Sequence, residues 1–180
     1  MNLREEKGFT LIEVIVVAAI IAVLAGIIVP LVFKEVDESK ISKAKADVKS
    51  IQTAIMMFYK DTKKWPWYVN EGGVLKDNVT LLVSDGNYPA NYDTNFDARV
   101  ISNLRDHLMT NATGYDSSTW KGPYLSDLGA DPWGNAYIVS AVYFNTQNPV
   151  WILSAGPDGR LDTAQDSQTL GGDDIGIRLQ

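Results

Sequence analysis

The chain is 180 residues long, 46% hydrophobic and 21% charged, with a formal net charge of −6, a composition that excludes a disordered chain and leaves room for about one ordinary domain. It contains no cysteine and one histidine, which excludes disulfide staples, thiolate metal sites and a Cys nucleophile. Charge is unevenly placed: residues 34–64 carry eight Lys against five acids, whereas residues 65–180 carry six basic against fourteen acidic side chains. The acidic remainder gives no footprint for nucleic acid.

From Phe9 to Phe33 the only polar side chains are Thr10 and Glu13. As a helix, this run spans about 37 Å at roughly 1.5 Å per residue, enough for a bilayer core of about 30 Å. Gly26 and Pro30 fall in its second half, where Pro removes a backbone donor, so a kink or a weakened stretch is expected at residues 26–30.

Glu13 is what this run must explain. An ionisable group deep in a span costs about 2.5–3.5 kcal/mol on insertion scales and normally has a partner. A secretory signal peptide cut after Val23-Leu24-Ala25 is one alternative, but Glu5 and Glu6 precede the core and Glu13 interrupts it. A plain single-pass anchor leaves Glu13 without a purpose. A cut between Gly8 and Phe9 supplies the partner, because it places a protonated α-amine on Phe9, four residues before Glu13 on the same helix face. Shared between packed neighbours, the pair becomes a registration device: a subunit docked without it leaves two uncompensated charges in hydrocarbon.

The stretch Lys7-Gly8-Phe9-Thr10-Leu11-Ile12-Glu13, with its short charged leader and the later Pro30, resembles the prepilin leader and first helix of type IV pilins and type II secretion pseudopilins. The resemblance implies cleavage after Gly8 by a prepilin peptidase, methylation of the new amine of Phe9, and recruitment of each subunit to a filament by Glu13. It also implies a bacterial inner-membrane location with the globular part in the periplasm. The implied partners are copies of the same chain, minor pseudopilins, an inner-membrane assembly platform and membrane lipid.

Beyond Phe33 the chain becomes charged without losing helical period. Ile41, Ala44, Val48, Ile51, Ile55 and Phe58 recur at steps of three and four, one apolar stripe on an otherwise polar helix. The stripe is expected to cover the domain's own core, and the helix to end near Lys64, because Pro66 disfavours helix at Trp65.

Residues 65–95, rich in Gly, Asn, Asp, Pro and aromatics, read as loops with short elements. Val100, Ile101, Leu104 and Leu108 suggest a short helix from Asp97 to Met109. His107, without Cys or a second His, is a poor candidate for metal or catalysis. Tyr137–Phe144 and Val150–Leu153 read as a hairpin across "NTQNP". The Lys-Gly-Pro-Tyr segment at 121–124 and Asp-Pro-Trp-Gly-Asn at 131–135 look like the C-terminal half of the major pseudopilins of type II secretion. Residues 65–119 match nothing comparable.

The C-terminal stretch holds five Asp between residues 158 and 174. By itself it reads either as a solvated acidic loop or as a hard-cation site, since Ca²⁺ takes six to eight oxygens from a flexible loop; the spacing is not that of an EF-hand. "SAGPDG" and "DDIG" are similar to segments flanking the calcium loop of major pseudopilins. The resemblance implies Asp158 and Asp174 as carboxylate ligands and Ala155 as a carbonyl ligand, with Asp162 and Asp173 as additional candidates, and calcium as a structural cofactor. No nucleophile elbow, phosphate-binding Gly loop or metal-His pair marks an enzyme.

The expectation is an α+β fold: a leader at 1–8, a transmembrane and assembly half-helix at 9–33, an amphipathic half at 34–64, and a globular domain at 65–180 with a small antiparallel sheet. The expected function is that of a structural subunit of a type II secretion pseudopilus. The alternatives are a type IV pilus pilin, or a secreted calcium-binding domain behind a signal peptide.

Overall fold

The computed structural model describes residues 8–179; apart from Gly8, the expected leader lies outside them. Helix α1 (Leu11–Thr62) begins where Thr10 can cap it and ends at Thr62. There the Thr62 hydroxyl donates to the Phe58 carbonyl at 2.8 Å and accepts the Lys64 amide at 3.2 Å, and Lys63 turns out with φ 54°. The helix passes through Gly26 and Pro30 without interruption. Pro30 has no amide hydrogen to donate to the Gly26 carbonyl.

Contacts divide the chain into two units, Met1–Ser39 and Lys40–Gln180. In the first, every described residue is exposed, and its helix is long and apolar enough to cross a membrane. In the second, α1 buries Ala44, Val48, Ile51, Ala54, Ile55, Phe58 and Thr62. That is the stripe read from the sequence, except that Ile41 is only half-buried and Ala54 and Thr62 join it.

The remaining strands are β1 (Tyr68–Glu71), β2 (Val74–Asp77), β3 (Leu81–Val83), β4 (Ile101–Asn103), β5 (Ile138–Val139), β6 (Trp151–Ser154) and β7 (Ile175–Arg178), with short helices α2 (Tyr92–Asn95) and α3 (Leu104–Leu108). β1 and β2 form a separate hairpin, and the main sheet runs β4-β3-β5-β6-β7. It is not purely antiparallel, because β3 and β4 pair in parallel. The 65–119 region supplies the β1–β2 hairpin and, in the main sheet, the edge strand β4 and the interior strand β3.

The two faces of the sheet are both covered, and the period of two divides its residues between them. Leu82, Val139 and Ile152 pack with the α1 stripe, Leu104, Tyr137 and Phe144. Leu81, Val83, Ile138, Trp151 and Leu153 face the other way, onto Phe96, Ala155 and Leu161. The acidic stretch contributes Leu161, which is fully inaccessible.

Two expected elements differ. The helix expected at 97–109 is a strand followed by the five-residue α3. Thr80 draws Val100 to the sheet, its amide donating to the Val100 carbonyl at 2.8 Å and its hydroxyl accepting the Val100 amide at 3.0 Å. Asn103 then caps α3 by accepting the Arg105 amide at 2.8 Å. The hairpin across residues 145–149 is present, but its first strand stops at Val139 and a 3₁₀ turn (Ala141–Tyr143) follows. Ala141 and Phe144 are both buried in the α1-side core, a spacing of three that suits a turn and not a strand.

Candidate functional site

The N-terminal site is built on Thr10-Leu11-Ile12-Glu13. The Thr10 amide and hydroxyl both donate to Glu13 Oε2, at 2.8 and 2.7 Å, and the Glu13 amide reaches back to the Thr10 hydroxyl at 3.4 Å. This is a capping box, which satisfies donors that the first turn of a helix otherwise leaves open. Its Thr-x-x-Glu spacing is a signal the sequence itself carries. Glu13 Oε1 makes no hydrogen bond among the described residues, Phe9 is 88% exposed, and Gly8 to Thr10 have no regular structure. The peptide at Gly8-Phe9 is thus accessible, and one carboxylate oxygen stays available.

The second site lies in the β6–β7 connection. The structure brings one carboxylate oxygen each from Asp158, Asp162 and Asp173 within 4.8 Å of one another. All three side chains are exposed, and among the described residues none forms an ion pair. The loop's shape makes the convergence. The Asp158 amide donates to Asp173 Oδ2 at 3.2 Å, and Gly172, at φ +49°, has room for its backbone only, because a Cβ there would overlap the Asp162 carboxylate.

Asp174 does not join the three. It is 7% exposed, and its Oδ2 accepts the amides of Asp162 and Thr163 at 3.0 and 2.7 Å, while its Oδ1 is buried without a partner. Burial pushes its carboxyl above the usual carboxylate range, against the pull of those hydrogen bonds and with a further push from the Asp162 charge. Ala155, the expected carbonyl ligand, is fully buried at the end of β6.

One supporting residue was missed in the sequence. Asp131, 5% exposed, accepts the Ser154 hydroxyl at 2.6 Å and the amides of Trp133 and Asn135 at 3.0 and 2.8 Å. Ser154 Oγ in turn accepts the Gly156 amide at 3.2 Å. The Asp-Pro-Trp-Gly-Asn turn is thereby tied to the start of the acidic loop. His107 is fully buried, with ring nitrogens 2.8 Å from Ser102 Oγ and 2.7 Å from the Tyr115 hydroxyl. Burial lowers its pKa to about 3, so it is a neutral packing residue.

A family model described as prokaryotic N-terminal methylation motif matches residues 3–29, and one described as type II secretion system protein G matches residues 102–172. The type II secretion system core protein G of Pseudomonas aeruginosa is 30% identical over 174 residues, 95% of this chain and 97% of that protein. This chain belongs to the type II secretion system protein G family. The protein G of Escherichia coli is 29% identical over 170 residues, 93% of this chain and 92% of its own. A type IV major pilin, PilA of Myxococcus xanthus, is 40% identical over 67 residues only, 37% of this chain and 30% of the pilin. No solved structure matches. Within this protein G chain the N-terminal match contains the capping box, and the second match runs from β4 to Gly172 of the acidic loop.

Proposed function

We propose that this chain is the structural subunit of a type II secretion pseudopilus. The observation that carries this is the full-length relationship to secretion core proteins G, joined to an apolar helix that begins in a Thr10–Glu13 capping box and is exposed along its membrane-length half. That half stands in the bacterial inner membrane, with residues 40–180 in the periplasm. A prepilin peptidase cuts the accessible Gly8-Phe9 bond and methylates Phe9. The new amine then lies beside Glu13, whose Oε1 meets the amine of its own or a neighbouring chain. Subunits polymerise through their apolar half-helices with minor pseudopilins and an inner-membrane assembly platform, in support of export across the outer membrane. The role is mechanical, not catalytic.

Calcium fits the acidic loop. Three carboxylate oxygens within 4.8 Å suit a common cation with oxygens at about 2.3–2.6 Å, and three exposed like charges with no ion pair repel one another until a cation offsets them. Asp158, Asp162 and Asp173 supply side-chain oxygens. Ala155 adds its carbonyl, and the unpartnered Asp174 Oδ1 is the fourth carboxylate candidate. The ion would be structural.

N-terminal sequencing and mass analysis of the mature chain test the central reading. A methylated Phe9 terminus supports it; Gly26 would indicate a secreted domain and Met1 a simple anchor, and either overturns it.

A further inference from the structure

The acidic loop between β6 and β7 has no regular structure of its own, yet it is held at several points by one distant segment, residues 90–97. The Ala90 amide donates to the Gly159 carbonyl at 2.9 Å and the Ala90 carbonyl accepts the Leu161 amide at 3.0 Å. The Asn95 side-chain amide donates to the Leu161 carbonyl at 2.6 Å. From the loop, the Gln165 amide donates to the Asn95 carbonyl at 3.1 Å, and Gln165 Oε1 accepts the Asp97 amide at 2.7 Å. Beneath these bonds Phe96 and Leu161 are buried in one cluster on the outer face of the sheet.

Two of the anchored residues adjoin two of the converging acids. Asp158 immediately precedes Gly159, and Asp162 immediately follows Leu161. Fixing the backbone at 159 and 161 therefore fixes where two of the three converging carboxylates begin, and Asp173 is then met through the Asp158 amide. Asn95 is itself held by the α2 turn, with its amide donating to the Asn91 carbonyl at 2.9 Å and Asn91 in a left-handed conformation at φ 65°. The segment lies between the two family matches, at 3–29 and 102–172.

We infer that Asn95 and Gln165 are positioning residues for the cation site, with the 90–97 segment serving as a buttress that sets the loop's geometry before metal arrives. The inference rests on the calcium reading above. A loop free to move must lose conformational freedom when it closes on an ion, whereas a braced loop has lost it at folding, so bracing appears as affinity. The Asn95 side-chain amide is engaged with the Leu161 carbonyl and Gln165 Oε1 with the Asp97 amide, so both act through the backbone that carries the acids.

The test is calorimetric titration of calcium chloride into the chelator-stripped full chain in detergent, for wild type, Asn95→Ala, Gln165→Met and the exposed loop variant Gln168→Ala, each held well below its melting temperature. Supporting groups around metal ligands typically govern affinity by about 10- to 100-fold. The expected result is a Kd raised roughly tenfold or more in Asn95→Ala and in Gln165→Met, and unchanged in Gln168→Ala. A lowered melting temperature with unchanged Kd would make the two residues structural only and overturn the inference while leaving the metal site standing. Absence of saturable binding in the wild type would overturn the calcium reading, and this inference with it. Gln165→Met keeps the side chain's approximate volume, so the comparison stands if Asn95→Ala fails to fold.

Discussion

Thr10 and Glu13 cap each other at the start of α1, with two donors of Thr10 converging on one oxygen of Glu13 at 2.8 and 2.7 Å. The carboxylate thus has a local function in starting the helix that is separate from any neighbour it meets, and its second oxygen remains for that neighbour. Thr10→Ala is expected to destabilise the first turn by about 1 kcal/mol. Thr10→Ser should retain it. Amide hydrogen exchange at residues 11–14 in micelles should quicken only in the Ala variant.

The buried stripe of α1 makes a prediction about the second unit. Phe58 is fully buried, with Tyr115 edge-on at 4.8 Å, whereas Met57 beside it is 52% exposed. Phe58→Ala should cost about 3–5 kcal/mol, and Met57→Ala within about 0.5 kcal/mol. Urea unfolding followed by tryptophan fluorescence is selective for this unit, since all five Trp lie between residues 65 and 151.

His107 contributes to the acid limb of stability. Its folded pKa of about 3 lies below the ordinary 6.5. Above pH 6.5 the ring is neutral in both states; as pH falls below 6.5 the unfolded chain gains a proton that the folded chain refuses until about pH 3. Stability should therefore fall with acidification across that window, approaching about 1.4 kcal/mol per pH unit well below 6.5. The decline begins above the range of ordinary carboxylates. Urea midpoints from pH 7 to 5 should fall in wild type and flatten in His107→Gln.

Chelation should lower the melting temperature of the wild-type chain. A cation at 100 times its Kd adds about 2.7 kcal/mol. Protonation of Asp174 favours the fold at low pH, and that benefit is lost as pH rises through its raised folded value. Gly172→Ala, which forces a Cβ against the Asp162 carboxylate, should reduce the calcium response. A melting curve unmoved by EDTA would remove the site.

What could be read in the sequence was what recurs along it. The apolar run, the α1 stripe from Ala44 to Phe58 and the turn at Pro66 are local patterns, and each names its own structure. The strand at Ile101–Asn103 was hidden because Val100, Ile101, Leu104 and Leu108 have helical spacing, and only pairing with β3, some twenty residues away, decides between helix and strand. Of the acidic loop, the carboxylates were visible but their grouping was not: Asp158, Asp162 and Asp173 converge, while Asp174 turns its Oδ2 to the backbone at 162 and 163. The hold of Asn95 on Leu161 spans 66 residues through one side-chain amide, and no periodicity announces such a bond. The bond from the Ser154 hydroxyl to Asp131 likewise joins residues 23 apart, outside the reach of any local pattern.

We propose that Glu13 is kept in the apolar helix because assembly uses it. Counting and measuring filaments in cells that express Glu13→Leu in place of the wild-type chain tests this most directly. Loss of filaments, with the chain still cut at Gly8-Phe9 and present in the membrane, is the predicted result. Filaments of wild-type number and length would contradict it.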